Sequence, residues 1–223
     1  MIIPISYPLH RATPLYPETP PIALRPFKSI ERGDSTNATT ITFNSHSGTH
    51  IDLPRHFCPD GGSVSTLLAP ESIFEPSYCI EVPRSGDTPL RVEDLLPHLA
   101  DVGDAQALLI KTGCGRTRTA VPETYASEHP WVHPAVPDLL RRKCPDLRLF
   151  GIDTISVAAP SHREEGRMSH RAFLCGSPQI LLLEDADLSN PHLTEGPWQL
   201  RLYPILFDDL DGIPVIALAE VPE

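Results

Sequence analysis

HSGTHIDLPRH, residues 46–56, is the stretch that decides how this chain is read. His46, His50, Asp52 and His56 all stand on even positions, and an extended strand turns alternate side chains to one face. A helix would also stack His46 over His50. However, the β-branched Thr49 and Ile51, Gly48, and Pro54 with no backbone donor argue for a strand that passes into a loop. Imidazole nitrogen and carboxylate oxygen are donors that zinc and similar divalent ions accept. Three of them, His46, His50 and Asp52, leave a coordination position open for water, which is the arrangement of a catalytic site and not of a closed structural one. Gly48, without a Cβ, lets a backbone or a substrate come close. His56, beyond Pro54, is too far along to be a ligand yet within reach of that water, so it is the expected proton carrier. A single histidine on a half-buried strand is usually just hydrogen-bonded. Four such side chains of one parity within this stretch demand more than that.

Length and charge narrow the partners. The chain has 223 residues, enough for one domain over residues 1–223 with a sizeable core. Eighteen basic against twenty-nine acidic side chains give a formal charge of −11. That balance opposes nucleic acid and anionic membrane surfaces and leaves a small molecule as the expected partner. The opening MIIPISYPLH lacks the pattern of a secretory leader, and no run approaches the ~18 apolar residues of a membrane span, so a cytoplasmic location is expected. Cys58, Cys79, Cys114, Cys144 and Cys175 are scattered without a CxxC pair, which reads as buried thiols in a reducing compartment. Cys58 and Cys114 have no base placed by sequence to make a thiolate nucleophile.

Along the chain, residues 2–9 read as an opening strand, followed by a loop over 13–26. Residues 38–43 alternate as a strand leading into the motif, and Asp60-Gly61-Gly62 is a turn. Strands are expected at 78–82, 107–111 and 148–153, with a helix from 89 to about 96 capped by Thr88. Residues 131–134 form a loop opening onto a helix over 135–143. His129 and His133, flanked by prolines, read as structural or as pocket wall. A short helical turn runs from His170 to Leu174, then a strand over 179–183 ends at Glu184. Two last strands, 200–207 and 213–219, are joined through Asp211-Gly212, a hairpin signal.

The run from His46 resembles the HxGTHxDxPxH signature of the cyclase-type metal-dependent hydrolases, a family that includes the bacterial kynurenine formamidases (arylformamidases), with isatin hydrolases as relatives. His46, Gly48, Thr49, His50, Asp52, Pro54 and His56 meet every fixed position, and Phe57 continues the match. The resemblance implies an α/β fold with a central mixed β-sheet of the swivelling β/β/α type, assembled as a homodimer or homotetramer. It implies two more metal ligands, His170 on a helix and Glu184 at the end of the next strand. His162 is a rival for the histidine, because the spacing is longer than in the formamidases. With both late ligands present, Asp52 bridges two zinc ions; with one lost, a single ion remains and Mn²⁺ becomes the alternative.

Leu15-Tyr16-Pro17 resembles the family's aromatic-proline element at the mouth of the active site, which makes Tyr16 the expected substrate contact. Gly151-Ile152-Asp153-Thr154 with Ser156 resembles its GxDTxS element, with Asp153 as the expected orienter of a ligand histidine. Ser6 fits the family's opening, whereas Pro4 stands where an acid is usual. The implied activity is hydrolysis of a small amide, an aryl formamide such as N-formylkynurenine, with His56 as general acid and base. The alternative is opening of a cyclic amide or ester, as in isatin hydrolases. A non-catalytic metal- or ligand-binding protein is a third reading, against which His56 stands, since binding alone needs no proton carrier.

Overall fold

Three short apolar runs without polar alternation, ALLIK, LFGI and LLLE, become parallel neighbours in the middle of the sheet, where strands covered on both faces are expected to look like this. The computed structural model describes residues 1–67 and 70–222. Its strands are β1 (Ile2–Pro4), β2 (Ala23–Lys28), β3 (Ala38–Thr42), β4 (His50–Asp52), β5 (Ile73–Glu81), β6 (Pro89–Leu90), β7 (Ala107–Lys111), β8 (Trp131–Val132), β9 (Leu149–Ile152), β10 (Leu181–Glu184), β11 (Trp198–Pro204) and β12 (Gly212–Glu220). Its α-helices are α1 (Val92–Leu95), α2 (Gly115–Ala120), α3 (Pro122–Ser127), α4 (Val136–Lys143) and α5 (Arg163–Leu174).

The main sheet runs β1-β12-β11-β5-β7-β9-β10-β4, and β12 also pairs with β4, so the sheet closes into a barrel. Strands β5, β7, β9 and β10 are parallel, and β4, β11 and β12 are antiparallel to their neighbours. This is the mixed α/β sheet expected from the resemblance. Period-two alternation sorts the side chains into two cores. Ile51, Leu109, Leu149 and Leu183 pack in one, with Phe74, Trp198 and Ile213. Leu108, Ile110, Phe150 and Leu182 pack in the other, with Leu139 and Leu140 of α4 and Phe173 of α5. Since Ile51 and Leu183 face the first core, His50, Asp52 and Glu184 are turned to the opposite, helix-covered face.

Several elements differ from expectation. The motif is a strand only at His50–Asp52; residues 45–48 form a turn, with Gly48 at φ +64°, and Pro54–His56 is a 3₁₀ turn. Simple alternation thus aligns His50 with Asp52 alone. Residues 38–42 do not lead into the main sheet but pair with β2, which begins inside the expected loop, as a separate two-stranded ribbon. Pro89–Leu90 is a strand paired with β8, the latter inside a stretch expected to be loop. The helix that follows starts only at Val92, where the Asp94 carboxylate accepts from the backbone N–H of Arg91, while Thr88 donates to Ser85 instead of capping. His170 does not open a helical turn but sits in the third turn of the twelve-residue α5. The buried face of α5 includes Gly166, Ser169 and His170, so no apolar stripe announced it.

Candidate metal centre

Strand β4 is held from both sides. Asp52 lies opposite Leu182 and Gly212, and His50 opposite Glu184 and Pro214. His50 Nδ1 donates to the carbonyl of Gly48 at 2.8 Å, and His170 Nδ1 to the carbonyl of Gly166 at 2.8 Å. These bonds fix both rings with Nε2 turned inward. His50 Nε2 then lies 3.2 Å from Asp52 Oδ1 and 3.5 Å from Glu184 Oε2, and His170 Nε2 lies 3.6 Å from Asp52 Oδ2 and 3.5 Å from Glu184 Oε1. Glu184 is steadied by the Val157 N–H at 2.7 Å and the Ser156 hydroxyl at 3.1 Å. His46 donates through Nδ1 to Asp52 Oδ1 at 2.7 Å and through Nε2 to Asp211 Oδ2 at 3.0 Å. The same Asp211 oxygen accepts from His56 Nδ1 at 2.8 Å.

Two groups of donors meet in Asp52: His50, Asp52 and Glu184, and His46, Asp52 and His56. Asp52 is only 1% exposed, and its Oδ2 has no hydrogen-bond partner. A buried carboxylate oxygen left in this way is costly unless a charge or a donor meets it. The donor chemistry of three imidazoles and two carboxylates around that oxygen suits zinc or a related divalent ion. Burial opposes charge on His46, yet the Asp52 and Asp211 carboxylates push it up to about 10. Against the same burial, His50 is raised by Asp52 and His170 by Glu184. Burial likewise works against ionised Asp52, but His46 and His50 hold it well below the carboxylate range. Asp211 is depressed by the hydrogen bonds from His46 and His56.

Directly after Glu184 the chain bends sharply at Asp185, which is fully buried at φ +54°. A non-glycine residue there carries strain, which the surroundings must hold. Arg118 donates to the two Asp185 oxygens through Nε and Nη2, each at 2.7 Å, and the Tyr125 hydroxyl adds a third bond at 2.6 Å. The Tyr7 ring covers the guanidinium at 3.8 Å. The Asp185 carbonyl accepts from Thr49 Oγ1 at 2.6 Å, which links this bend to the motif.

The centre opens into a cavity of about 500 Å³ whose wall includes Tyr16, His56 and Phe57. His46, His50, Asp52, His56, His170 and Glu184 all line it. His162 does not: it stacks on Trp131 at 4.6 Å and lies 3.3 Å from Asp87. Asp153 orients no histidine; its carboxylate accepts from Thr112 and Gly113, because β7 and β9 run side by side and end there together. His129 is buried behind Tyr16, edge-on at 6.4 Å, and is not part of the cavity wall.

Asp211 escaped the sequence reading, since Asp-Gly looked like a turn. The glycine itself carried the missing signal, because a Cβ on Gly212 would stand 2.6 Å from the His46 ring and 2.9 Å from the Ile51 carbonyl. The five cysteines are not all lone thiols either. Cys58 and Cys175 form a disulfide that joins the loop after His56 to the end of α5.

The chain matches the family described as "Putative cyclase" over residues 3–159, a span that holds the motif and stops short of His170. Kynurenine formamidase of Geobacillus thermodenitrificans is 31% identical over 215 residues, which cover 96% of this chain and 95% of that protein. Kynurenine formamidase of Bacillus cereus is 29% identical over 221 residues, with 97% and 95% covered. Isatin hydrolase A from Labrenzia aggregata, solved with benzyl benzoate, shares the fold with a TM-score of 0.81 at 20% identity, covering 100% of this chain and 94% of its own. A structure described as a potential metal-dependent hydrolase with cyclase activity gives 0.78 at 19%, covering 100% and 98%.

Proposed function

This chain belongs to the cyclase family, and from that premise we propose that it is a metal-dependent hydrolase of small amides, with an aryl formamide such as N-formylkynurenine as substrate. The observation that carries the reading is the partnerless Asp52 Oδ2, buried among imidazoles and Glu184 in a cavity that His56 also lines. The names of the formamidase relatives support the substrate class. His46, His50, Asp52, His170 and Glu184 would hold zinc, two ions per chain in this reading, with Mn²⁺ as the alternative; His56, which also stands beside His46 and Asp52, is kept for proton transfer. Bound zinc supplies a Lewis acid for the amide carbonyl and brings the pKa of water towards neutrality.

His56 donates a hydrogen bond from Nδ1–H to Asp211, the tautomer that leaves Nε2 as the acceptor. That nitrogen takes the proton of the attacking water and returns it to the departing amine, a transfer worth roughly 10² to 10⁴ in rate. Tyr16 and Phe57 offer ring faces and edges to the aryl group. The test is a panel of formanilide, N-formylkynurenine, isatin and simple lactones, with metal content measured alongside. Formamide turnover that His56→Ala abolishes while metal is retained is the expected result. Turnover of isatin alone would move the assignment to cyclic amides, and an unaltered rate in His56→Ala would remove the proton carrier.

Raised imidazoles must give up their protons before they can coordinate. Zinc affinity should therefore climb as pH rises from 6 to 9, because His46, which the Asp52 and Asp211 carboxylates push up to about 10, must lose a proton as the ion binds. Competition with a chelator across that range measures it, and a flat profile would contradict the protonated centre. We also read the chain as a homodimer or homotetramer, with the β2–β3 ribbon in the interface. The ribbon and its connecting turn hold Phe27, Ile30 and Ile41 out to solvent. Light scattering on the same samples gives the mass; a monomer would refute this.

A further inference from the structure

Helix α5 brings two arginines, Arg163 and Arg167, to the wall of the cavity that holds the candidate metal centre. With His170 they stand at i, i+4 and i+7, so all three share one stripe of the helix. At about 1.5 Å of rise per residue, Arg167 lies about 4.5 Å and Arg163 about 10.5 Å along the axis from His170. Among the described residues the cavity wall contains no other lysine or arginine. In a chain with a formal charge of −11, these two side chains are the guanidinium groups this wall can offer to an acidic group of a ligand.

Their present partners separate the two roles. Arg163 Nη2 donates to Glu18 at 2.9 Å, which ties the loop bearing Tyr16 to α5. Among the described residues Arg167 reaches only Glu164, one turn back on its own helix, and the two side chains are 58% and 79% exposed. An exposed contact of this kind is weak and easily exchanged. A guanidinium presents a planar fork of donors that matches a carboxylate, and such a bond strengthens inside a cavity where water is partly excluded.

We propose that Arg167 determines specificity by gripping a carboxylate carried on the substrate's aryl side, while Arg163 holds the Tyr16 loop beside it. This rests on the formamide reading and narrows it: the favoured amide carries a carboxylate on its side chain. With the amide carbon at the metal centre next to His170, a carboxylate about one helical turn, ~5.4 Å, further out falls within the reach of Arg167. Anilides without a carboxylate then lack one contact that the carboxylate-bearing, zwitterionic substrate makes.

The zinc-loaded wild type and Arg167→Gln are compared on N-formylkynurenine and on formanilide. The expected result is a KM raised about 10- to 100-fold for N-formylkynurenine, the worth of a charge-assisted bond to its carboxylate, with kcat within about twofold. Formanilide should keep both constants, and Arg167→Lys should recover part of the loss. Equal effects on both substrates, or none on either, would overturn the proposal. Calorimetric binding of kynurenine, set against 2-aminoacetophenone, which lacks the carboxylate, needs no turnover. Weakening of kynurenine alone in Arg167→Gln upholds the grip even if neither formamide is hydrolysed, the outcome that would refute the hydrolase reading. Equal binding of kynurenine by the wild type and the variant rules the grip out.

Discussion

Asp52→Asn is expected to lower kcat/KM by roughly a thousandfold or more, because several kcal/mol of transition-state stabilisation leave with the cation. The substitution keeps the shape of the side chain but removes the charge that two groups of donors share. It also puts an amide beside the Nδ1–H of His46 and the Nε2 of His50, groups that the carboxylate now receives at 2.7 and 3.2 Å. Elemental analysis and turnover on one dialysed sample measure the effect. A variant that keeps its full metal content and rate would remove Asp52 from the centre.

Arg118→Ala should destabilise the chain by about 3–5 kcal/mol, the usual cost of leaving one member of a buried ion pair alone. For a chain of this length that lowers Tm by roughly 10 °C or more. Among the described residues the Asp185 carboxylate would keep only Tyr125 as a side-chain donor, in a fully buried position directly after Glu184. Zinc content should fall together with stability, since the bend after Glu184 is no longer held. Arg118→Lys should recover little, because a lysine keeps the charge but not the two-pronged contact. Thermal unfolding of the three proteins checks this, and a change in Tm under about 2 °C for the alanine variant would contradict it.

The sequence made half of this centre legible. His50 and Asp52 follow from strand parity, and the apolar runs at 107–111, 149–152 and 181–184 announce buried parallel strands. His46 and His56 do reach the same cavity, though by another route: a turn through Gly48 and a 3₁₀ turn bring them round, and neither follows from alternation. Helix α5 was hidden because it buries small and polar residues where a stripe of leucines would normally be seen. Asp211 and the Cys58–Cys175 pair join positions far apart in the chain, and local patterns do not encode such meetings. Arg118 and Asp185 read as ordinary charged residues; only the fold removes both from water.

The flanking of β4 by β10 and β12 has a bearing on the order in which the protein is made. His46 and His56 wait 165 and 155 residues for Asp211, so a ribosome releases the histidine motif long before its late partners exist. Such distant pairings are slow to form, because chain closure must precede any reward from contact. Until translation reaches the second half, the nascent motif lacks the His170, Glu184 and Asp211 side chains that surround it in the folded chain. The shape of the candidate centre is thus a property of the finished chain, acquired in the last stage of its synthesis.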